Sequence, residues 1–338
     1  MKKLVSLICV LAMVLALAAC GSSAPAAATE APAASTEAPA EDVSADKTFV
    51  VGICQLVQHP ALDAATQGFK DALTEALGDK VTFQEQNASG DSATCSLICN
   101  QFVSDEVDLI MANATASIQA AASATNTIPI LGTSITDYGV ALGVDNWTGV
   151  SGTNISGTSD LAPLDGQAAM IQELFPDAKT IGLLYCSGEP NSIFQADSME
   201  ALLTDMGYSV ERYTFADSND VSSVTANACS NSDVLYIPTD NTAASCTEAI
   251  NNVALSAGIP IVAGEEGLAS GCGVATLSIS YYDLGRATGE MAAEILTEGA
   301  DISTMEVRFA PAFTKEYNAD ICEALNITVP EDYVAIAK

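Results

Sequence analysis

The stretch 108-DLIMANATASIQAAASATNTIPILGT-133 decides the fold, because it contains two strands and the helix between them. Asp108 to Ala112 is a short run rich in large apolar residues, which predicts a buried strand. Ser117 to Ala124 is rich in alanine and predicts a helix. Ile128 to Thr133 is again short and apolar and predicts the next strand. Since strands joined through a helix run parallel in a sheet, the stretch predicts an α/β protein.

The same alternation of strand and helix continues on both sides and begins again after Asp160. The other predicted strands are Thr48–Leu56, Val81–Asn87, Thr180–Tyr185, Ser209–Phe215, Val234–Ile237 and Pro260–Ala263. The other predicted helices are Ala61–Leu77, Ser92–Ser104, Ala162–Leu174, Ser192–Met206, Val221–Cys229 and Ala243–Ala257. This alternation predicts parallel sheets with helices on both faces. Its two halves predict two doubly wound lobes, with a ligand between them at the carboxyl ends of the strands.

The first twenty residues have the pattern of an export signal. Lys2 and Lys3 precede an apolar run, Leu4 to Ala16, which is short for a membrane span. The following Leu17-Ala18-Ala19-Cys20 resembles the lipobox of bacterial lipoproteins. The resemblance implies that residues 1–19 are a signal peptide and that Cys20 carries acyl chains such as palmitate, anchoring an extracytoplasmic protein to the cell membrane. The alternative is an ordinary signal peptide with a chance cysteine.

Residues 20–46 are almost entirely Ala, Pro, Ser, Thr and Glu, with a repeated TEAPA unit. They show no apolar periodicity, so we predict a disordered spacer that holds the folded body away from the membrane.

Charge and missing motifs exclude several function classes. The formal net charge is −32, which argues against nucleic acid as a partner. Arg212, Arg286 and Arg308 are the only arginines, so the expected ligand is small and neutral or zwitterionic. His59 is the only histidine and there is no C-x-x-C pair, so we expect no metal site. We also expect no cofactor and no enzyme activity, because the sequence lacks a P-loop, a G-x-S-x-G elbow and a dinucleotide-binding G-x-G-x-x-G after a strand.

The cysteines of the body are even in number, which permits disulfides in an exported protein. Several lie in apolar runs such as VGICQL and GLLYCS, and the body is large enough to fold without staples. We favour buried free thiols.

Five segments carry a resemblance to a known family. They are His59-Pro60-Ala61-Leu62-Asp63 with Gly68-Phe69, Asn87-Ala88-Ser89-Gly90-Asp91, Gly188-Glu189-Pro190-Asn191-Ser192, Pro238-Thr239-Asp240-Asn241-Thr242, and Tyr281-Tyr282-Asp283-Leu284-Gly285-Arg286. In this order and spacing the chain resembles the substrate-binding lipoproteins of ABC transporters that have the type I periplasmic-binding-protein fold. The subfamily it resembles includes tryptophan-, tyrosine- and phenylalanine-binding members. The family usually has proline where this chain has Tyr138, a residue that could therefore project into the cleft.

The resemblance implies two lobes joined by a three-segment hinge. It places residues 47–157 and 281–307 in the N-terminal lobe, and residues 158–280 and 308–338 in the C-terminal lobe. The three crossings are expected near Asn154–Asp160, Ser278–Tyr281 and Val307–Pro311. The implied partners are the permease subunits and their ATPase, and we expect a monomer.

Polar residues at the ends of strands are the candidates for the ligand carboxylate. Thr115 begins a helix after a strand, and Thr133-Ser134 end the next strand. In the second lobe, Glu189, Asn191 and Ser192 lie at another strand-to-helix turn. Hydroxyls and free amides at helix starts bind carboxylates without arginine. Each of these residues can equally be a simple helix cap.

Acidic residues are the candidates for a ligand ammonium. Asp240 follows a strand in PTDNT, and a carboxylate there would select amino acids over sugars. Glu265 or Glu266 offers similar chemistry. The alternatives are helix capping for Asp240 and simple solvation for the two glutamates. Gln55, Gln58 and His59 are expected to form one wall of the cleft.

Aromatic walls are candidates at Tyr138, Tyr185, Phe194 and Tyr281, and Trp147 is expected to lie outside the pocket. The residues together favour capture of a small, preferably aromatic, amino acid for an ABC importer. The alternatives are a sugar, nucleoside or signalling ligand on the same fold, a sensor without a transporter and, least favoured, a secreted hydrolase.

Overall fold

The structure is a computed structural model that describes residues 47–310 and 312–337. The predicted signal peptide, Cys20 and the spacer lie outside the described residues. The strands are β1 (Phe49–Gln55), β2 (Val81–Asn87), β3 (Leu109–Asn113), β4 (Ile130–Ile135), β5 (Ile155–Ser159), β6 (Thr180–Cys186), β7 (Ser209–Phe215), β8 (Val234–Ile237), β9 (Ile261–Ala263), β10 (Ala275–Ser278), β11 (Arg308–Phe309), β12 (Thr314–Tyr317) and β13 (Val334–Ala335). The helices are α1 (Pro60–Leu77), α2 (Ser92–Ser104), α3 (Thr115–Ala124), α4 (Tyr138–Leu142), α5 (Leu164–Leu174), α6 (Pro190–Asp205), α7 (Val221–Asn231), α8 (Asn241–Ala244), α9 (Thr247–Ala257), α10 (Glu266–Gly271), α11 (Tyr281–Glu298) and α12 (Ala319–Leu325). Across these residues, no helix combines the length and the apolar character needed to cross a bilayer.

The strands form two sheets that define two lobes. The first sheet has the order β11-β5-β4-β3-β1-β2 and the second has the order β13-β12-β10-β9-β8-β6-β7. All neighbours in the first sheet are parallel. In the second sheet, the pair β10–β12 is antiparallel and the other neighbours are parallel. The predicted α/β fold with two parallel-dominated sheets is confirmed.

Helices cover both faces of each sheet, which explains the continuous apolar strands. In β3, Leu109 and Met111 pack into one hydrophobic cluster, and Ile110 and Ala112 pack into another. Successive side chains of a strand point to opposite faces. A strand with helices on both sides therefore needs apolar residues on both faces, and β3 has them from Leu109 to Ala112.

The helices α1 and α11 pack closely although they are far apart in sequence. A Cβ atom on Gly68 would lie 2.0 Å from the carbonyl oxygen of Tyr282, and one on Gly285 would lie 2.0 Å from that of Ala65. Only glycine allows this approach of the two backbones. The second crossing therefore returns α11 to the first lobe, where it completes the layer against α1.

The chain passes between the two sheets three times: after β5, between β10 and α11, and between β11 and β12. The segment predicted as the first crossing contains β5, which is still a strand of the first sheet. Similarly, Arg308 and Phe309 pair with Thr158 and Ser159 of β5. From these strand memberships we propose lobe boundaries that lie about two residues after the predicted positions 157 and 307. The other boundary, at position 280, is unchanged.

Candidate functional site

A small cavity lies between the lobes and is closed on most sides. Its volume is about 290 Å³. From the first lobe and the crossings come His59, Leu62, Ser134, Thr136, Asp160 and Tyr281. From the second lobe come Asn191, Thr239, Asp240, Asn241, Ala244 and Glu265. Among these described residues three are carboxylic acids and none is a lysine or arginine, so the cavity favours a group that carries positive charge.

Ser134 presents its hydroxyl to the cavity because β4 is irregular at this point. The residue has a left-handed backbone, with φ of 55°, and the pairing of β4 with β5 shifts register between Gly132 and Ile135. Bulges of this kind re-aim side chains next to binding sites. Ser134 is buried, and its Oγ has no hydrogen-bond partner within the protein.

Asp160 follows the last residue of β5 and is also buried. Its Oδ2 accepts a hydrogen bond of 2.9 Å from the hydroxyl of Tyr281, but its Oδ1 has no partner within the protein. Burial raises the pKa of this carboxyl above its ordinary value, because the low-dielectric surroundings disfavour the charged form.

Asp240 and Glu265 both cap helices of the second lobe. Asp240 accepts hydrogen bonds from the backbone amides of Cys186 at 2.7 Å and Ala243 at 2.8 Å, the latter in the first turn of α8. Glu265 accepts two bonds of 2.5 Å from the amides of Gly267 and Leu268 at the start of α10.

Burial raises the pKa of both carboxyls. The pKa of Asp240 is raised first by desolvation and then by the nearby negative charge of Glu189. Desolvation raises the pKa of Glu265 to about 7. An empty cavity therefore disfavours the ionised form of each of its three carboxyls.

Contacts between the lobes close the cavity. The ring Nε2 of His59 lies 3.4 Å from Oδ1 of Asn241. The hydroxyls of Thr136 and Thr239 are also 3.4 Å apart. Burial lowers the pKa of His59, so the neutral imidazole is the favoured form in this position.

Five of the ten residues predicted for the ligand site line this cavity: His59, Ser134, Asn191, Asp240 and Glu265. The other five do not, because their polar atoms are engaged elsewhere or lie at another face: Gln55, Thr115, Thr133, Glu189 and Ser192. Gln55 binds Thr66 and Asp63, at 2.7 Å each, and so ties β1 to α1. Thr133 contacts Thr158 within the first sheet, at 3.2 Å.

Thr115, Glu189 and Ser192 hold loops beside the cavity. Thr115 is the buried first residue of α3. Glu189 lines a neighbouring groove, where it accepts hydrogen bonds from the backbone amides and side chains of Asn241 and Thr242 at 2.7–3.0 Å. Ser192 lies buried in the first turn of α6, 3.3 Å from Nδ2 of Asn191.

The structure corrects the expectation that Tyr138 could reach the cleft. Its hydroxyl points into the first lobe and donates to the carbonyl of Gly132 at 3.0 Å, while its ring stacks on Trp147. A Cβ atom on Gly132 or Gly157 would lie 2.6 or 2.4 Å from this hydroxyl, so two glycines make room for it.

Of the other candidate aromatic walls, Tyr281 lines the cavity, whereas Tyr185 and Phe194 do not.

Sequence reasoning missed Thr136, Asp160, Thr239 and Asn241 as lining residues. Thr239 and Asn241 flank Asp240 in PTDNT, so the motif itself was a signal for them. Asp160 stands directly after SGTS, a segment taken as a crossing and not as the strand whose carboxyl end faces the cavity. Recognition of β5 would have identified Asp160 by the same rule as the other strand ends.

The family model described as ABC transporter substrate binding protein matches residues 50–338. The chain belongs to this family. It is 38% identical over 280 residues, 82% of this chain and 81% of the relative, to a protein named "Tyrosine-binding protein" from Clostridioides difficile (strain R20291). The members of this family are substrate-binding proteins and not enzymes.

Two solved structures of this substrate-binding family bear on the arrangement of the lobes. A crystal structure of an ABC domain in complex with L-Trp from Streptococcus pneumoniae is 32% identical, with a TM-score of 0.80 over 84% of this chain and 97% of that chain. The ligand-free, open structure of a substrate-binding protein with adhesive properties from Clostridium difficile is 37% identical, with a TM-score of 0.66 over 86% and 100%. The fit is better to the ligand-bound structure than to the ligand-free, open one. In this protein, contacts of 3.4 Å join the two lobes across the cavity.

Proposed function

We propose that this substrate-binding protein captures an aromatic L-amino acid outside the cytoplasm and delivers it to the permease of an ABC transporter. The observation that carries the proposal is the closed cavity with three buried carboxyls and no cation among its described lining residues. A buried carboxyl is stabilised in its ionised form by a ligand that brings a positive charge. An amino acid brings one in its ammonium group.

The remaining lining supports the other parts of the ligand. Hydroxyls of Ser134, Thr136 and Thr239 are neutral donors for a carboxylate. The rings of Tyr281 and His59 and the side chain of Leu62 offer apolar contact to an aromatic side chain. The relatives named for tyrosine and crystallised with L-Trp support the same ligand class.

A thermal-shift screen of the purified protein tests the ligand class. We expect L-Tyr, L-Trp or L-Phe to raise the melting temperature by on the order of 5 °C at a hundredfold excess over Kd, because ligand binding stabilises only the folded state. Other amino acids, sugars and nucleosides serve as controls in the same plate. A rise with a sugar or a nucleoside alone would refute the amino-acid site while leaving the family membership intact.

The proposed site of action depends on an N-terminal lipid. We propose that Cys20 is acylated after removal of residues 1–19, which would hold the protein at the outer surface of the membrane. Cells that express the protein and are fed a labelled palmitate analogue should label the wild type, which should sediment with membranes. The C20A variant should lose the label and appear in the soluble fraction. Label retained in C20A would refute the anchor.

A further inference from the structure

The three carboxyls of the cavity differ in how their oxygens are used. Each oxygen of Glu265 accepts a backbone amide of α10, and each oxygen of Asp240 accepts a backbone amide of the second lobe. In Asp160 one oxygen is bound by the Tyr281 hydroxyl, while the other is buried without a partner. Buried carboxylate oxygens are normally hydrogen-bonded, so the unpartnered Oδ1 is open to a donor from a ligand, with the Thr136 hydroxyl close to the carboxyl.

A second unpartnered atom of the same cavity is Nδ1 of His59. Its chemical character follows from a chain of contacts that begins at Glu189. Glu189 Oε2 accepts a 2.7 Å bond from Nδ2 of Asn241, which fixes the amide so that its Oδ1 faces His59. Since an amide oxygen only accepts, Nε2 of the ring must carry the hydrogen. In the neutral ring Nδ1 is then a bare acceptor, and the pKa of His59, lowered by burial, keeps the ring neutral.

The groups around Asp160 are neutral or acidic. Tyr281 approaches from α11, Thr136 from the end of β4, and the Glu265 carboxyl from the start of α10. Tyr138 lies on the side of the first lobe, where the charge of Asp160 contributes to a raised pKa of its hydroxyl. In the described residues that line the cavity, no basic side chain other than His59 is present.

We propose that Asp160 Oδ1 and His59 Nδ1 form the ammonium site of the ligand, and that Asp240 is a structural cap and not the ammonium partner. The assignment rests on the proposed capture of an amino acid. An ammonium group has three hydrogens to donate, and among the described residues that line the cavity these two acceptors have no partner. Ser134 Oγ, the third unpartnered atom that lines the cavity, is left to donate to the ligand carboxylate.

The ammonium must also displace a proton. Burial favours the neutral form of Asp160. In the folded protein this carboxyl is therefore either protonated, or ionised at a cost in free energy. Binding of an ammonium group at Oδ1 stabilises the ionised form, so the proton leaves to solvent. Binding should therefore weaken as the pH falls.

Isothermal titration of the wild type, D160N and D240N tests the assignment with two ligands. L-Tyr carries the ammonium group, and 3-(4-hydroxyphenyl)propionate has the same carbon skeleton without it. We expect D160N to bind L-Tyr about 30-fold or more weakly than the wild type does, because it loses a charge partner in a buried site. It should also lose the preference for L-Tyr over the deaminated acid. D240N should keep that preference, although the helix cap is weakened.

The outcomes separate this assignment from the proposed function. If the wild type binds L-Tyr, and D160N keeps the wild-type preference while D240N loses it, Asp240 is the ammonium partner and the assignment is refuted. If the wild type binds no aromatic amino acid, the proposed function fails and the assignment falls with it. Should D160N not fold, D240N decides: its titration at pH 6 in two buffers of different ionisation enthalpy should still show proton release for L-Tyr and none for the deaminated acid. Equal proton exchange for the two ligands would refute the assignment.

Discussion

Replacement of Glu265 by glutamine should make the dependence of stability on pH measurably shallower. Burial raises the pKa of this carboxyl to about 7 in the folded protein, from an ordinary value of about 4.5. A raised carboxyl contributes its stability below the unfolded pKa and loses it as the pH rises through the folded pKa. For these two values the loss is about 1 kcal/mol by pH 5 and about 3 kcal/mol by pH 8.

The glutamine side chain does not titrate, so the difference between E265Q and the wild type reports the titration of the Glu265 carboxyl alone. The difference in unfolding free energy between E265Q and the wild type should move in favour of the variant by about 2.5 kcal/mol between pH 5 and pH 8. Since glutamine offers one oxygen to the two amides of Gly267 and Leu268, we also expect a loss of about 1 kcal/mol that is independent of pH.

Chemical denaturation of the ligand-free protein at both pH values provides the measurement. E265Q should be about as stable as the wild type at pH 5 and about 2 kcal/mol more stable at pH 8. Half-buried Glu266, the next residue in the chain, supplies the control variant E266Q, for which we expect no comparable dependence on pH. A difference between E265Q and the wild type that is the same at both pH values would show that the carboxyl is not desolvated as described.

Two further substitutions test the packing described above. Y138F should lower the unfolding free energy by about 1 kcal/mol, because the hydroxyl loses its bond to Gly132, yet it should leave the affinity for the ligand unchanged in titration; a tenfold loss of affinity would place Tyr138 at the site after all. G285A should destabilise the protein by more than about 3 kcal/mol in thermal or chemical unfolding, because its Cβ would lie 2.0 Å from the backbone oxygen of Ala65. Tolerance of alanine there would show that α1 and α11 do not pack as tightly as the structure has them.

The sequence predicts the fold class well, because local patterns determine it. Strands such as β3, LIMAN, are apolar at every position except the last, and the parallel sheets that require such strands follow from the helices between them. The boundaries are less well predicted where the pattern is polar. β5 reads ISGTS, which has two serines, a threonine and a glycine, and was taken as a crossing. Its neighbours β4 and β11 supply the pairing that no local pattern reveals.

The candidate site follows from the sequence in part. The rule that strand ends face the cleft found Ser134, Asp240 and Glu265, which line the cavity. This rule does not predict which carboxyl has an oxygen without a hydrogen bond. That depends on the backbone amides that Asp240 and Glu265 bind, among them those at the starts of α8 and α10. Tyr138 was misjudged for a related reason. Its direction is determined by Gly132, which leaves space inside the first lobe, and such space is visible only in three dimensions.

The contact between α1 and α11 also determines the order in which the chain can fold. Helix α1 ends at Leu77, and its partner α11 begins at Tyr281, so about 200 residues are made between them. The strands β6 to β10 lie within that interval and pair mainly with one another. The second lobe can therefore assemble most of its sheet as an insertion, while the first lobe keeps the apolar face of α1 exposed until α11 arrives. During synthesis and export, α1 is the segment that most needs protection from aggregation.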